Sequence, residues 1–274
     1  MTGLLKSDFR RVLKDKLLIV VGILAVVFAI TLPLLYAVLF STADLLDTAI
    51  LGNIFSAKTL FFSSFSIGNN LGLVAPVLLA IILCKDFSFG TIRNKIIAGK
   101  SRTQIFMSLF ITCAVVLIVV MTIHALITLG ISLIFFDYQE TAFTFGDFGY
   151  FLASLGFEVL DLLFVAALLA WLCANMKNVG LVIVLYIAIA MALVLAGSIL
   201  QTVIGVLQMS PDNEKLLSVL EFFNRINIGS AAMYIGVGTS YTLKDVLYLV
   251  IPPVVGIAGF LGYGLLGFNK KDLK

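Results

Sequence analysis

Two acids stand inside a long apolar run: Glu158 and Asp161 lie within YFLASLGFEVLDLLFVAALLAWLCANM. With Ser154 they recur at i, i+4 and i+7, so one helical face carries all three. At about 1.5 Å rise per residue they fall roughly 12–17 Å below the outer edge of their apolar span, near its middle. An acid at the centre of a bilayer costs about 2.5–3.5 kcal/mol on insertion scales, so the pair must face protein or water. Several chemistries fit. A structural polar cluster would enlist His124 or Asn69 as partner. A negatively lined path, drawn through Asn69, Asn70, His124, Ser154, Glu158 and Asp161, would attract cationic amphipathic molecules. A positioned acid–base pair would serve an intramembrane hydrolase. Such enzymes usually draw their acids from separate helices, and a metal version would lack histidines. Proton or ion coupling is a further use.

A second cluster is basic. In KDFSFGTIRNKIIAGKSRTQIFMS, residues 85–108, Lys85, Arg93, Lys95, Lys100 and Arg102 face one acid, Asp86. Gly90 and Gly99 bracket a helix-sized segment in which Ile92, Ile96 and Ile97 form one apolar face. The segment is either a solvated loop or a docking helix for a partner. Ala98-Gly99-Lys100-Ser101 looks like the end of a phosphate-binding loop, but Asn94 stands where that loop needs glycine. Nucleotide binding by this chain is therefore not expected. Cys84, Cys113 and Cys173 have no metal-ligand spacing, and a single histidine cannot complete a site, so no metal is expected either.

These residues sit in a chain of 274 residues that is 61% hydrophobic and 12% charged. Soluble domains are usually about 45–50% apolar and about 25% charged. The composition therefore excludes an ordinary soluble enzyme and predicts a single-domain, all-α integral membrane protein with six transmembrane helices. The predicted spans are 17–40, 66–84, 104–136, 150–176, 179–208 and 246–268. Span 3 exceeds the roughly 20 residues that a bilayer core requires and should tilt or project. Residues 1–16 read as an amphipathic interfacial helix, with Leu5, Phe9, Val12 and Leu13 on one side and Lys6, Arg10, Arg11 and Lys14 on the other. No cleavable signal peptide is expected there. An outer helix is predicted through Leu45, Leu46, Ala49, Ile50 and Ile54. Residues 209–245 are too apolar for a solvated loop, and predict a helix that dips into the outer leaflet and returns. In span 6, Gly256, Gly259 and Gly262 recur every third residue, a pattern that permits close helix approach.

With both termini inside, 14 of the 18 Lys and Arg residues fall on the inner side. That bias sets the orientation by the positive-inside rule. No internal repeat is visible, which argues against a transporter built from inverted repeats.

Phe89-Gly90-Thr91-Ile92-Arg93-Asn94-Lys95, preceded by Asp86 and followed by Gly99-Lys100-Ser101-Arg102, resembles the signature of ABC-2 type exporter permeases. That motif covers less than a tenth of the chain, and the six-span layout extends the similarity to nearly all of it. The resemblance implies a bacterial plasma-membrane permease with cytoplasmic termini, a coupling region at 86–103 and a re-entrant segment at 209–245. It implies a homodimer joined by two copies of a P-loop ABC ATPase, which would bind ATP and Mg in place of this chain. Docking would fall to Gly90, Thr91, Ile92, Arg93, Lys95 and Ile96, with Phe9, Arg10 and Arg11 in the interfacial helix. Short permeases of this kind resemble bacitracin-resistance and lantibiotic-immunity or peptide-export systems, so an amphipathic peptide or lipid-like cargo is expected. The competing expectations are an ion or small-molecule transporter without an ATPase, an intramembrane carboxylate enzyme, and a non-transporting anchor that recruits an ATPase.

Overall fold

The computed structural model describes residues 1–42, 56–88, 90–139, 143–176, 178–208 and 214–270. The outer helix expected around Leu45–Ile54 lies outside the described residues, as does Phe89. Among the described residues every regular element is helical: α1 Thr2–Leu13, α2 Lys16–Thr42, α3 Ala57–Ser63, α4 Asn70–Ser88 and α5 Thr91–Ile97. There follow α6 Arg102–Phe135, α7 Phe145–Asn175, α8 Val179–Leu207, α9 Glu214–Ile226, a 3-10 turn at Ile228–Met233, and α10 Leu243–Lys270. Six of these, α2, α4, α6, α7, α8 and α10, are long and apolar enough to cross a membrane. The protein is a multi-pass membrane protein. Helices dominate because a hydrocarbon layer offers the backbone no hydrogen-bond partner outside the segment itself.

The predicted spans match these helices to within a few residues at most ends. Span 2 starts later than expected, at Asn70, because Ser66–Asn69 turn before the helix begins, with Asn69 N–H donating to the Ser66 carbonyl. Local chemistry explains the other boundaries. Gly90 and Gly99, at φ 67 and 79, adopt the left-handed backbone that stops α4 and α5 from fusing with their neighbours. Ser101 and Gln104 cap the start of α6 reciprocally, and Thr144 with Asp147 does the same for α7.

Helix α7 is the centre of the bundle. In its most apolar window 72% of residues are buried, against 22% in α2 and 17% in α8 and α10. The peripheral helices turn Ile19, Ile23, Val184, Ile199, Val255 and Leu266 outward, which suits contact with lipid tails.

The α10 glycines act differently from the expected triplet. A Cβ at Gly256 would strike the Phe164 ring, but Gly259 and Gly262 face open space. The close approaches belong instead to Gly264, against Phe106, and Gly267, against Asn175. An equally close contact, but with backbone, lies at Gly72 in α4, where a Cβ would sit 1.9 Å from the Ser66 carbonyl oxygen. The Gly72 carbonyl also accepts the Tyr186 hydroxyl of α8 at 2.9 Å. Backbone cannot swing aside as a side chain can. Gly72→Ala should therefore lower stability by about 1–3 kcal/mol, whereas Gly259→Ala and Gly262→Ala should be neutral. Thermal unfolding in detergent checks the contrast.

Candidate functional site

The charged residues gather at one end of the bundle, around a buried carboxylate in the last turn of α4. Asp86 is 1% exposed. Its Oδ2 accepts from Arg11 Nη2 of α1 at 2.9 Å and from Lys95 Nζ of α5 at 3.0 Å. Lys95 also donates to Asp8 Oδ1 at 2.7 Å, and Ser108 of α6 donates to Asp8 Oδ2 at 2.6 Å. Arg11 reaches past Asp86 to the Ile82 carbonyl as well. Two cations, two acids and the Ser108 hydroxyl thus join α1, α4, α5 and α6. Lys85 adds a pair with Asp15 at 2.5 Å, beside the break between α1 and α2. Arg102 donates to the carbonyls of Phe268 and Asn269, closing the end of α10.

This geometry redistributes the predicted docking residues. Gly90 and Arg93 are exposed, Thr91 is half-buried, and Ile96 packs against the core from a half-buried position. Ile92 is buried in the core and does not face outward, because α5 lies with that side against the bundle. Lys95 points inward, drawn by Asp8 and Asp86. Ile97 instead is 74% exposed, next to exposed Arg93 and Asn94. On α1 the buried face is Leu4, Asp8 and Val12, while Leu13 is exposed. The helix is rotated from the expected Leu5–Phe9–Val12–Leu13 face because Asp8 and Arg11 both seek partners in the bundle. Phe9 is half-buried against the core, Arg10 is exposed and Arg11 turns inward. Asp8 and Ser108 were missed as anchors. The available signal was an acid spaced i−4 and i+4 from Val12 and Leu4, in the middle of an apolar stripe.

Partial burial works against the Asp15 charge, but the Lys85 ammonium, the Leu17 N–H and Arg11 outweigh it and hold the carboxyl below the usual range.

The intramembrane candidates do not converge. Glu158 is buried and Asp161 half-buried on α7, facing Ser66, Ile67, Ile228 and Ala231. Ser154 shares their face and hydrogen-bonds the Tyr241 hydroxyl at 2.7 Å. His124 turns the other way, to the Ala25 carbonyl of α2 at 2.9 Å. Asn69 donates to the Ser63 carbonyl, and Asn69 and Asn70 line a cavity of about 300 Å³ with Tyr36 and Thr128, which shares Ser66 and Ala232 with the cavity at Glu158 and Asp161. Neither His124 nor Asn69 is a hydrogen-bond partner of Glu158, which corrects the direct pairing expected of them. Helical periodicity groups residues within one helix, and it carries no information on which way neighbouring helices turn.

A family model described as a protein of unknown function, DUF2705, matches residues 23–274. The chain belongs to the DUF2705 family. No curated protein matches it. In this DUF2705 protein the matched region includes Asp86, Lys95, Ser108, Glu158 and Asp161, while α1, with Asp8 and Arg11, precedes it.

Two outcomes follow from the charged end. Lys95→Met leaves the buried Asp8 carboxylate without its cation and Asp86 with Arg11 alone, and should cost about 3–5 kcal/mol. It should also free α1, read as faster tryptic cleavage at Arg10 and Lys14. Asp15 has a lowered carboxyl value in the fold, so its contribution is present above about pH 3.9, the ordinary aspartate value. It is lost as pH falls through the lowered value. The wild-type unfolding midpoint should fall more steeply than that of Asp15→Asn below about pH 4.

Proposed function

We propose that this protein is the membrane-spanning subunit of an ATP-driven exporter, working as a homodimer with two copies of a separate P-loop ATPase. It sits in the bacterial plasma membrane with both termini in the cytoplasm. ATP and Mg belong to the partner. The observation that carries this reading is α5. This short helix, held between two left-handed glycines, is bolted to the bundle on one side and bare on the other.

The bolted side gives the coupling its mechanics. A push on α5 moves Lys95, and with it Asp8 of α1 and Asp86 of α4. Asp8 is hydrogen-bonded to Ser108 near the start of α6, whose 34 residues span about 50 Å. A displacement at the cytoplasmic end is thus carried across the bilayer by one rigid helix. The bare side offers Arg93 to an acid on the ATPase and Ile97 to an apolar cleft. For coupling to occur, ATP-driven closure must favour one arrangement of the spans over the other.

At the opposite end, α9 supports the re-entrant reading. Asn224, near its end, donates to Gln201 of α8, and Asn227 donates to the Leu193 carbonyl. Leu216, Val219, Phe222 and Phe223 remain exposed. We read this face as resting in the outer leaflet. With so little mass outside the membrane, a cargo taken from the bilayer, an amphipathic peptide or a lipid-like compound, suits the chain best. A second reading, transport without an ATPase, is favoured by buried Glu158 and half-buried Asp161.

The test is affinity capture of tagged protein from native membranes, with ATP hydrolysis assayed on the eluate. Wild type should bring down an ATPase. Arg93→Glu and Ile97→Asp should each cut the captured activity at least about tenfold, the equivalent of about 1.4 kcal/mol of docking energy. Folded wild-type protein that captures no ATPase would leave the exporter without an energy source.

A further inference from the structure

Three cavities adjoin along one side of α7. The outermost, about 230 Å³, is walled by Tyr150, Tyr234, Tyr241 and Tyr248 and holds the Arg225–Asp245 ion pair. The second shares Arg225, Tyr248 and Leu249 with it and reaches Asp161. The third shares Asp161, Ile228 and Ala231 with the second, contains Glu158, and shares Ser66 and Ala232 with the cavity lined by Asn69 and Asn70. The two inner cavities have about 10 Å³ each, room for about one water.

Glu158, in the third cavity of this trail, has an unmet need. It is 2% exposed, and its Oε1 has no hydrogen-bond partner. Among the described residues no cation pairs with Glu158 or Asp161. Two cations among the described residues flank the trail: Arg225 of α9 is bonded to Asp245 of α10 and leans over the Tyr234 ring at 5.2 Å, and Lys58 of α3 donates to the Gly238 carbonyl at 2.9 Å and lies over the Tyr150 ring at 5.4 Å. The other titratable groups facing the trail are Tyr234, Tyr248 of α10 and, above Ser154, Tyr150 and Tyr241. His124 is engaged with α2.

The chemistry of the walls selects the occupant. A divalent ion needs about six oxygen ligands. The innermost cavity offers the two carboxyls and Ser66 among Phe65, Ile67, Leu162 and Val165. Those side chains offer at most five oxygens, short of a divalent ion's shell. A proton needs only one carboxyl oxygen and a neighbour to share it.

We propose that Glu158 and Asp161 form a proton-binding site, exchanged with the outer side through the tyrosine-lined cavity. The carboxyl pair takes up a proton through the inner cavities and releases it by the same route. The exporter thereby gains a step that depends on external pH. Nothing in this inference rests on the ATPase, and its test contains none.

The probe is dicyclohexylcarbodiimide, an apolar reagent that modifies protonated carboxyl groups within membranes. The carboxyl O–H gives its proton to one carbodiimide nitrogen while the carboxyl oxygen bonds to the central carbon. The adduct then rearranges to a stable N-acylurea, with no atom lost. Sealed membrane vesicles of known sidedness are labelled, and the site is mapped by mass spectrometry. Labelling at Glu158 or Asp161 should fall at least about tenfold as external pH rises from about 6 to about 9. The same change inside the vesicle should alter it less than about twofold. Glu158→Gln with Asp161→Asn should remove the label while leaving elution of the folded protein unchanged. The proposal is overturned if neither residue is labelled in folded protein, or if labelling ignores external pH. Protection by sodium at constant pH also overturns it, by assigning the site to a metal cation.

Discussion

Lys95 sits between Asp8 and Asp86, all three largely withdrawn from water, and the arrangement of the basic end depends on that contact. Burying a pair of charges gains little net stability, since the desolvation cost nearly matches the attraction. Losing one partner is costly, and this asymmetry makes the contact a specification of geometry. With the ammonium in place, α5 has one permitted side and α1 one permitted rotation. The serine hydroxyl of α6 completes the Asp8 carboxylate, so the long helix is held in the same unit.

The two regions of charge obey opposite rules. At the basic end each buried acid has a cation within 3.0 Å. Midway along α7, Glu158 and Asp161 have none among the described residues, and the nearest candidate, Arg225, is held by Asp245. Compensated charge makes a rigid joint. Uncompensated charge in an apolar wall creates affinity for whatever can neutralise it. A transporter would use both, a stiff lever at one end and a site of adjustable charge within.

Much of the fold was legible beforehand. The six spans follow from apolar length, and the boundaries of α5 follow from Gly90 and Gly99, whose left-handed backbone ends a helix wherever it occurs. The candidate sites were legible only as residue types. Lys95 read as a surface cation and points inward. Ile92 read as a docking residue and is core. His124, Asn69 and Glu158 read as one cluster and occupy three places. Glycine spacing in α10 pointed to Gly256, Gly259 and Gly262, while the contacts fall on Gly256, Gly264 and Gly267. A small residue permits approach, but the bulk on the opposing helix decides where approach happens.

The sequence by itself determined a helical, six-span membrane protein with its positive charge gathered at one end. A hydrocarbon layer accepts only segments whose backbone bonds close internally, and that requirement is local. Tertiary structure alone decided the rotation of each helix, and with it which charges are joints, which face is free and which acids are left unpaired. A buried charge must find its partner within about 3 Å. For Asp8 that partner lies 87 residues further along the chain.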